Sequence, residues 1–190
     1  MGEFKDPSPS REARPGEPSG VSPRPAGIDK DGEEGEAAVR AAGEESAGAF
    51  EFLEDVATAD IAFRAWGKTL EEAFRAAAEA TLNVMVEDLD SVEPRTRREM
   101  RLANEAVDLL LFDLLQELIY YKDSEALLLR VEGVRIKSRH GRHVLEASAC
   151  GEAIDPGRHR LRVDVKAVTL HGFTVQTVND RWEARVILDI

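Results

Sequence analysis

The alternation of apolar and polar residues changes period along this chain, and each period predicts an element. Phe50-Glu51-Phe52-Leu53-Glu54 reads as a short strand. From Asp60 to Trp66, Ile61, Phe63 and Ala65 alternate with Ala62, Arg64 and Trp66, the period of two of a half-buried strand. After Gly67 the period lengthens to that of a helix. Thr69 stands at the N-cap position, and Glu72 three residues on completes a capping box. Leu70, Ala73, Phe74, Ala77, Thr81 and Val84 then fall on one stripe, opposite Glu71, Glu72, Arg75 and Glu79, so the helix is amphipathic and ends near Met85 or Val86. Arg95 to Leu102 alternates again, with enough charge to predict an edge strand. Asn104 is placed to cap a second helix running to about Tyr121, apolar nearly all round and therefore the more buried of the two. From Leu127 the period of two returns. Leu127–Arg139 and Val144–Ile154 form a hairpin about His140-Gly141-Arg142-His143, Asp155-Pro156-Gly157 is a turn, and Val163–Val175 and Glu183–Leu188 flank a turn at Asn179-Asp180. The order predicts an α+β domain, two helices packed on mixed or antiparallel sheet.

Composition divides the 190 residues in two. Residues 1–48 hold six of the eight prolines and eight of the fourteen glycines, with almost no large apolar side chains. Such a segment buries too little surface to offset its chain entropy, so it is expected to be a disordered tail preceding a domain at 49–190. The net charge of -12 argues against tight unaided binding of nucleic acid, which needs clustered Lys and Arg, and favours cations or a basic partner. A single cysteine, Cys150, excludes an intrachain disulfide and suits a reducing compartment. No apolar run approaches the ~20 residues of a membrane span, and a cytoplasmic protein is expected.

Familiar catalytic signatures are missing: there is no G-x-S-x-G elbow, P-loop, dinucleotide-binding glycine fingerprint or H-E-x-x-H. Cys150 reads as a small core residue. His140 and His143 flank a turn and read as solvated, as does His159 between Arg158 and Arg160. His171 falls within a strand and reads as a hydrogen-bonded structural histidine. Asp113 reads as a rim acid on the second helix, and the carboxylates of Glu87, Asp88, Asp90 and Glu93 as a solvated loop, because the EF-hand glycine and final glutamate are absent. Lys166, between Val165 and Ala167, either extends into water or neutralises a nearby carboxylate. Asp60 and Asp189 each border a strand, and Ile190 brings a main-chain carboxylate. From spacing alone they are two separate surface acids by default. Were their strands adjacent, the converging carboxylates would call for a cation with oxygen preference, calcium or magnesium.

The chain resembles the archease family. The segments that carry the resemblance are Glu51-Phe52-Leu53, Thr58-Ala59-Asp60-Ile61, Ala65-Trp66-Gly67-Lys68-Thr69-Leu70-Glu71-Glu72-Ala73-Phe74, Val92-Glu93-Pro94, Val165-Lys166-Ala167-Val168-Thr169 and Val186-Ile187-Leu188-Asp189-Ile190, in the family order. One position departs: Ala57 stands where the family usually has a histidine before Thr-Ala-Asp. The resemblance implies a non-enzymatic activator of an RtcB-type RNA ligase in tRNA splicing and RNA repair, promoting guanylylation of the ligase and multiple turnover. It also implies a divalent cation held by Asp60, Asp189 and Ile190, with Lys166 and His171 as secondary participants. Two other readings stand beside it, a metal-dependent phosphate-ester hydrolase and a general chaperone of RNA-processing proteins.

Overall fold

The computed structural model describes residues 49–53 and 60–190. The expected tail at 1–48 and the segment holding Ala57, Thr58 and Ala59 lie outside the described residues. The described chain runs β1 (Ala49–Leu53), β2 (Asp60–Gly67), α1 (Leu70–Met85), a 3-10 turn at Leu89–Ser91, β3 (Thr96–Asn104), α2 (Val107–Glu125), β4 (Leu127–Arg139), β5 (Arg142–Ala153), β6 (Ala167–Val178) and β7 (Arg181–Asp189). The strands form two sheets, β1-β2-β7-β6 and β3-β5-β4, and every pairing between strands is antiparallel. This is an α+β fold, with the mixed-sheet alternative excluded among the described strands.

Both helices touch strands of both sheets and so join them over one core. On α1, the predicted stripe is fully buried at Ala73, Phe74, Ala77, Thr81 and Val84, and the capping box forms: Glu72 N–H donates to Thr69 Oγ1 at 3.2 Å, while Thr69 N–H reaches Glu72 Oε2 at 3.4 Å. On α2, Leu110, Leu111, Leu114 and Leu115 are wholly enclosed, but Leu109 and Tyr120 are exposed. Six of its nineteen residues are buried against ten of sixteen on α1, so the expectation that α2 is the more buried helix is corrected: the small alanines of α1 let it sit deeper against the sheets. The inner side of β2 contributes Phe63 and Ala65, and β7 contributes Ala184, Val186 and Leu188, all inaccessible to solvent. Alternation therefore leaves Asp60, Ala62, Arg64 and Trp66 on the other side of β2.

Several boundaries differ from expectation. α2 continues past Tyr121 to Glu125 because Ala126, in the left-handed conformation at φ 53°, closes it and returns its N–H to Tyr121 O. Its polar last turn, Lys122 to Glu125, hid that extension from the periodicity. Asn104 is the last residue of β3 rather than the N-cap, which is Ala106. It still serves the helix entry, since Asn104 Oδ1 accepts from Glu105 N–H at 2.8 Å and Nδ2 donates to Asp113 Oδ2 at 2.9 Å. Asp113 is half-buried, as a rim acid should be. The β4–β5 turn shrinks to His140-Gly141, both at positive φ, the pair a tight hairpin requires, so Arg142 and His143 belong to β5. β6 starts at Ala167 rather than Val163, leaving Lys166 just ahead of the strand.

Candidate functional site

The β2–β7 register makes Asp60 and Asp189 direct partners, the first residue of one strand facing the last of the other. Directly paired residues point to the same side of an antiparallel sheet with Cα atoms about 4.5–5.5 Å apart. The two carboxylates therefore emerge together on one side of the sheet. β6 flanks them, with Ala167 opposite Asp189 and Lys166 N–H donating to Asp189 O at 2.9 Å. Lys166 Nζ donates to Ile190 O at 3.0 Å, which places its ammonium beside the acids. Lys166 is exposed and forms no ion pair with a described carboxylate side chain, so its head lies in water with the contact to Ile190 O as its anchor.

An open groove of about 500 Å³ runs over the pair, walled by Phe112, Val168, Leu170, His171 and Ile187. Its far wall comes from an irregularity in β6 between Thr169 and Thr174, where Gly172 takes φ +66° and Leu170 is left 56% exposed. The positive φ is what favours glycine at position 172, since the nearest neighbour of an added Cβ, Arg185 Nη1 at 3.0 Å, is the end of a flexible side chain. His171 is exposed on this bulge. Only its main-chain N–H is bonded, to Thr169 Oγ1 at 3.3 Å, so the expected structural histidine is corrected to a solvent-facing one at the rim.

Carboxylate oxygens in this arrangement suit a hard divalent cation rather than zinc. Among the described residues, no group of three or more His, Cys, Asp or Glu side chains is arranged to hold a metal ion. A third protein oxygen at Asp60 and Asp189 could come from the main chain at Ile190, which follows Asp189 directly. The residues fit an oxygen-ligated cation that completes its coordination with water.

Other candidates lie elsewhere. Cys150 is half-buried, and its thiol bonds Glu132 Oε2 at 3.2 Å, so it is not a core residue. That bond, foremost, pushes the thiol upward in pKa, away from nucleophilic character. His143 Nδ1 meets Ser138 Oγ at 2.7 Å, and His140 is solvated. The acidic loop is tied by ion pairs: Asp90 lies 3.4 Å from Arg130, and Glu93 pairs with Arg95 and Arg158.

His159 is the clearest correction. It is buried, 3% exposed, with Nδ1 accepting from Asp155 N–H at 3.0 Å and Nε2 facing Glu152 Oε1 at 3.2 Å. Since Nδ1 accepts, the proton of the neutral ring sits on Nε2 and points at Glu152. Glu152, also buried, accepts from Glu93 N–H at 2.6 Å and pairs with Arg158, with Arg95 Nε at 3.2 Å. The Arg158 hydrogen bond, then the Glu93 N–H and His159, outweigh burial and hold the Glu152 carboxyl at about 2. This polar knot joins the loop at Glu93 to the turn at 155–159. A glutamate followed within seven residues by Arg158-His159 was its only trace in the sequence.

The model of the Archease protein family (MTH1598/TM1083) matches residues 50–190. A Thermococcus gammatolerans protein named archease is 40% identical over 134 residues, covering 70% of this chain and 94% of that protein. An archease of Methanosarcina mazei is 35% identical over 142 residues, 74% of this chain and 95% of its own length. The solution structure of Methanobacterium thermoautotrophicum protein 1598 superposes with a TM-score of 0.65 at 38% identity, covering 74% of this chain and 98% of that one. The family match extends across β1 to β7 and includes both Asp60 and Asp189. This chain belongs to the archease family.

Proposed function

We propose that this chain is a non-enzymatic activator of an RtcB-type RNA ligase, promoting its guanylylation and repeated turnover in tRNA splicing and RNA repair. The observation that carries the reading is the β2–β7 register, which sets Asp60 directly against Asp189. These carboxylates, with main-chain oxygens at Ile190, bind a divalent cation, calcium or magnesium. Bound there, the ion would neutralise the acid pair and supply a Lewis-acidic centre at the surface. Lys166 balances the charge on the Ile190 side through its 3.0 Å bond to Ile190 O. Leu170 and His171 stand on the exposed bulge beside the acids, where a docking enzyme would meet them first. The net charge of -12 suits a basic RNA-handling partner.

The test is a ligase guanylylation assay with and without this protein. Wild type is expected to accelerate nucleotide transfer to the ligase, with Asp60→Ala and Asp189→Ala each losing most of that stimulation. If both variants stimulate as well as wild type, the mechanism fails.

A further inference from the structure

The outer face of the β3-β5-β4 sheet carries a charge pattern that the acid pair does not explain. Register partners share a face, so Arg101 of β3, Glu146 of β5 and Arg135 of β4 stand in one row across the sheet. The next row on that face holds Ala103, Val144 and Lys137, and the last, at the hairpin end, Arg142 and Arg139. The helices lie on the opposite side: Arg98 and Asn104, which alternate with Arg97, Arg101 and Ala103, contact Glu125 and Asp113 of α2. Arg101, Arg135, Lys137, Arg139 and Arg142 are all exposed, and none forms an ion pair with another described residue. Glu146 is the one carboxylate in these rows; Glu99, on the same face of β3, is already paired with Arg97, so the five cations outnumber the acids at this end of the sheet on a chain whose overall balance is strongly negative.

We propose that this face binds the phosphate backbone of RNA without regard to sequence. Four of the five cations are arginines, whose forked donors match phosphate oxygens better than an ammonium does. The rows lie about 7 Å apart along the strands, so the cations spread over an extended surface rather than converging on a single anion. Beside them a groove of about 300 Å³, lined by Arg97, Arg135, Gly133 and Ser148 together with Glu99 and Glu146, opens where β4 shifts register between Val131 and Gly133. No Phe, Tyr, Trp or His lies on the rows named, so there is no aromatic platform for bases and contact is chiefly through phosphates. The choice of RNA over another polyanion rests on the proposed ligase role; the cationic face does not.

The experiment is fluorescence anisotropy of a labelled single-stranded RNA with the full chain, without ligase. Five phosphate contacts predict a weak, salt-steep interaction, falling roughly a hundredfold between about 50 and 200 mM salt. The triple variant Arg101→Glu/Arg135→Glu/Lys137→Glu is expected to lose about tenfold or more at low salt and flatten the salt slope. Arg101→Lys/Arg135→Lys should retain most of the binding, and Asp189→Ala should retain all of it. Circular dichroism melts confirm that each variant folds. Undiminished binding by the folded triple variant, no binding by wild type at low salt, or preference for an acidic peptide over the RNA would each overturn the proposal. Because the ligase is absent, failure here leaves the guanylylation result untouched, and the reverse holds equally.

Discussion

Replacing Gly151 with alanine is expected to cost this domain a large part of its stability. Gly151 lies in β5, the central strand of its sheet, paired to Leu129 on one side and Thr96 on the other. A Cβ built there falls 1.8 Å from Leu128 O, 2.8 Å from Leu128 C and 3.0 Å from Leu129 Cα. All three atoms are main chain, so no rotamer change relieves the contact and β4 must move by about an ångström or more. Overpacking costs ~1–3 kcal/mol, and disturbing about two β4–β5 hydrogen bonds at ~1 kcal/mol each brings the total to ~3–5 kcal/mol. Against a typical domain stability of ~5–15 kcal/mol, that is a severe lesion. Gly133 supplies the control. Its Cβ would meet only Ser148 Oγ, at 3.0 Å, and that hydroxyl can rotate away, so Gly133→Ala should stay within ~1 kcal/mol of wild type. Urea unfolding followed by circular dichroism reads both, with Gly151→Ala lowering the midpoint by ~1–2 M or more. A Gly151→Ala protein as stable as Gly133→Ala would refute the reasoning.

Two further outcomes follow from the polar contacts. Glu152 titrates at about 2 when folded against 4.5 in the unfolded chain, so its stabilising contribution is full above pH 4.5 and is lost as pH falls towards 2. Melting temperatures across that window should show Glu152→Gln below wild type at neutral pH and converging with it near pH 2; a constant gap would contradict the assignment. Thr69→Ala removes the α1 cap and is expected to cost ~1 kcal/mol, about 3 °C in a thermal melt, while Thr69→Ser stays close to wild type.

The parts of this structure legible in the sequence are those set by local chemistry. The alternation in Asp60–Gly67, the Thr69–Glu72 box and the apolar stripes of α1 and α2 each depend on neighbours a few residues away, and each formed as read. The Asp60–Asp189 pairing is different, since spacing left two separate acids as the default and the family segments tipped the balance. Its register then follows from Ile61, Phe63 and Ala65 facing the core with Leu188, Val186 and Ala184, because a slip of one residue would turn all six outward. What escaped was set by distant partners. His159 looked solvated between two arginines, but Glu152, Asp155 and the loop at Glu93 bury and satisfy it. Lys122 lay beyond the expected end of the second helix near Tyr121. Its Nζ donates to Val165 O at 2.9 Å and pairs with Asp123 and Asp164, contacts that fasten the last turn of α2. The division into two sheets also left no local mark, because each strand alternates alike whichever sheet it joins.

The account stands on one shared cation at the end of β2 and β7, and titration calorimetry of chelator-stripped protein with calcium and with magnesium tests it most directly. Wild type is expected to bind one ion, and Asp60→Ala and Asp189→Ala each to lose about tenfold or more in affinity, since each removes a ligand from the same site. Unchanged affinity in both variants would contradict the account.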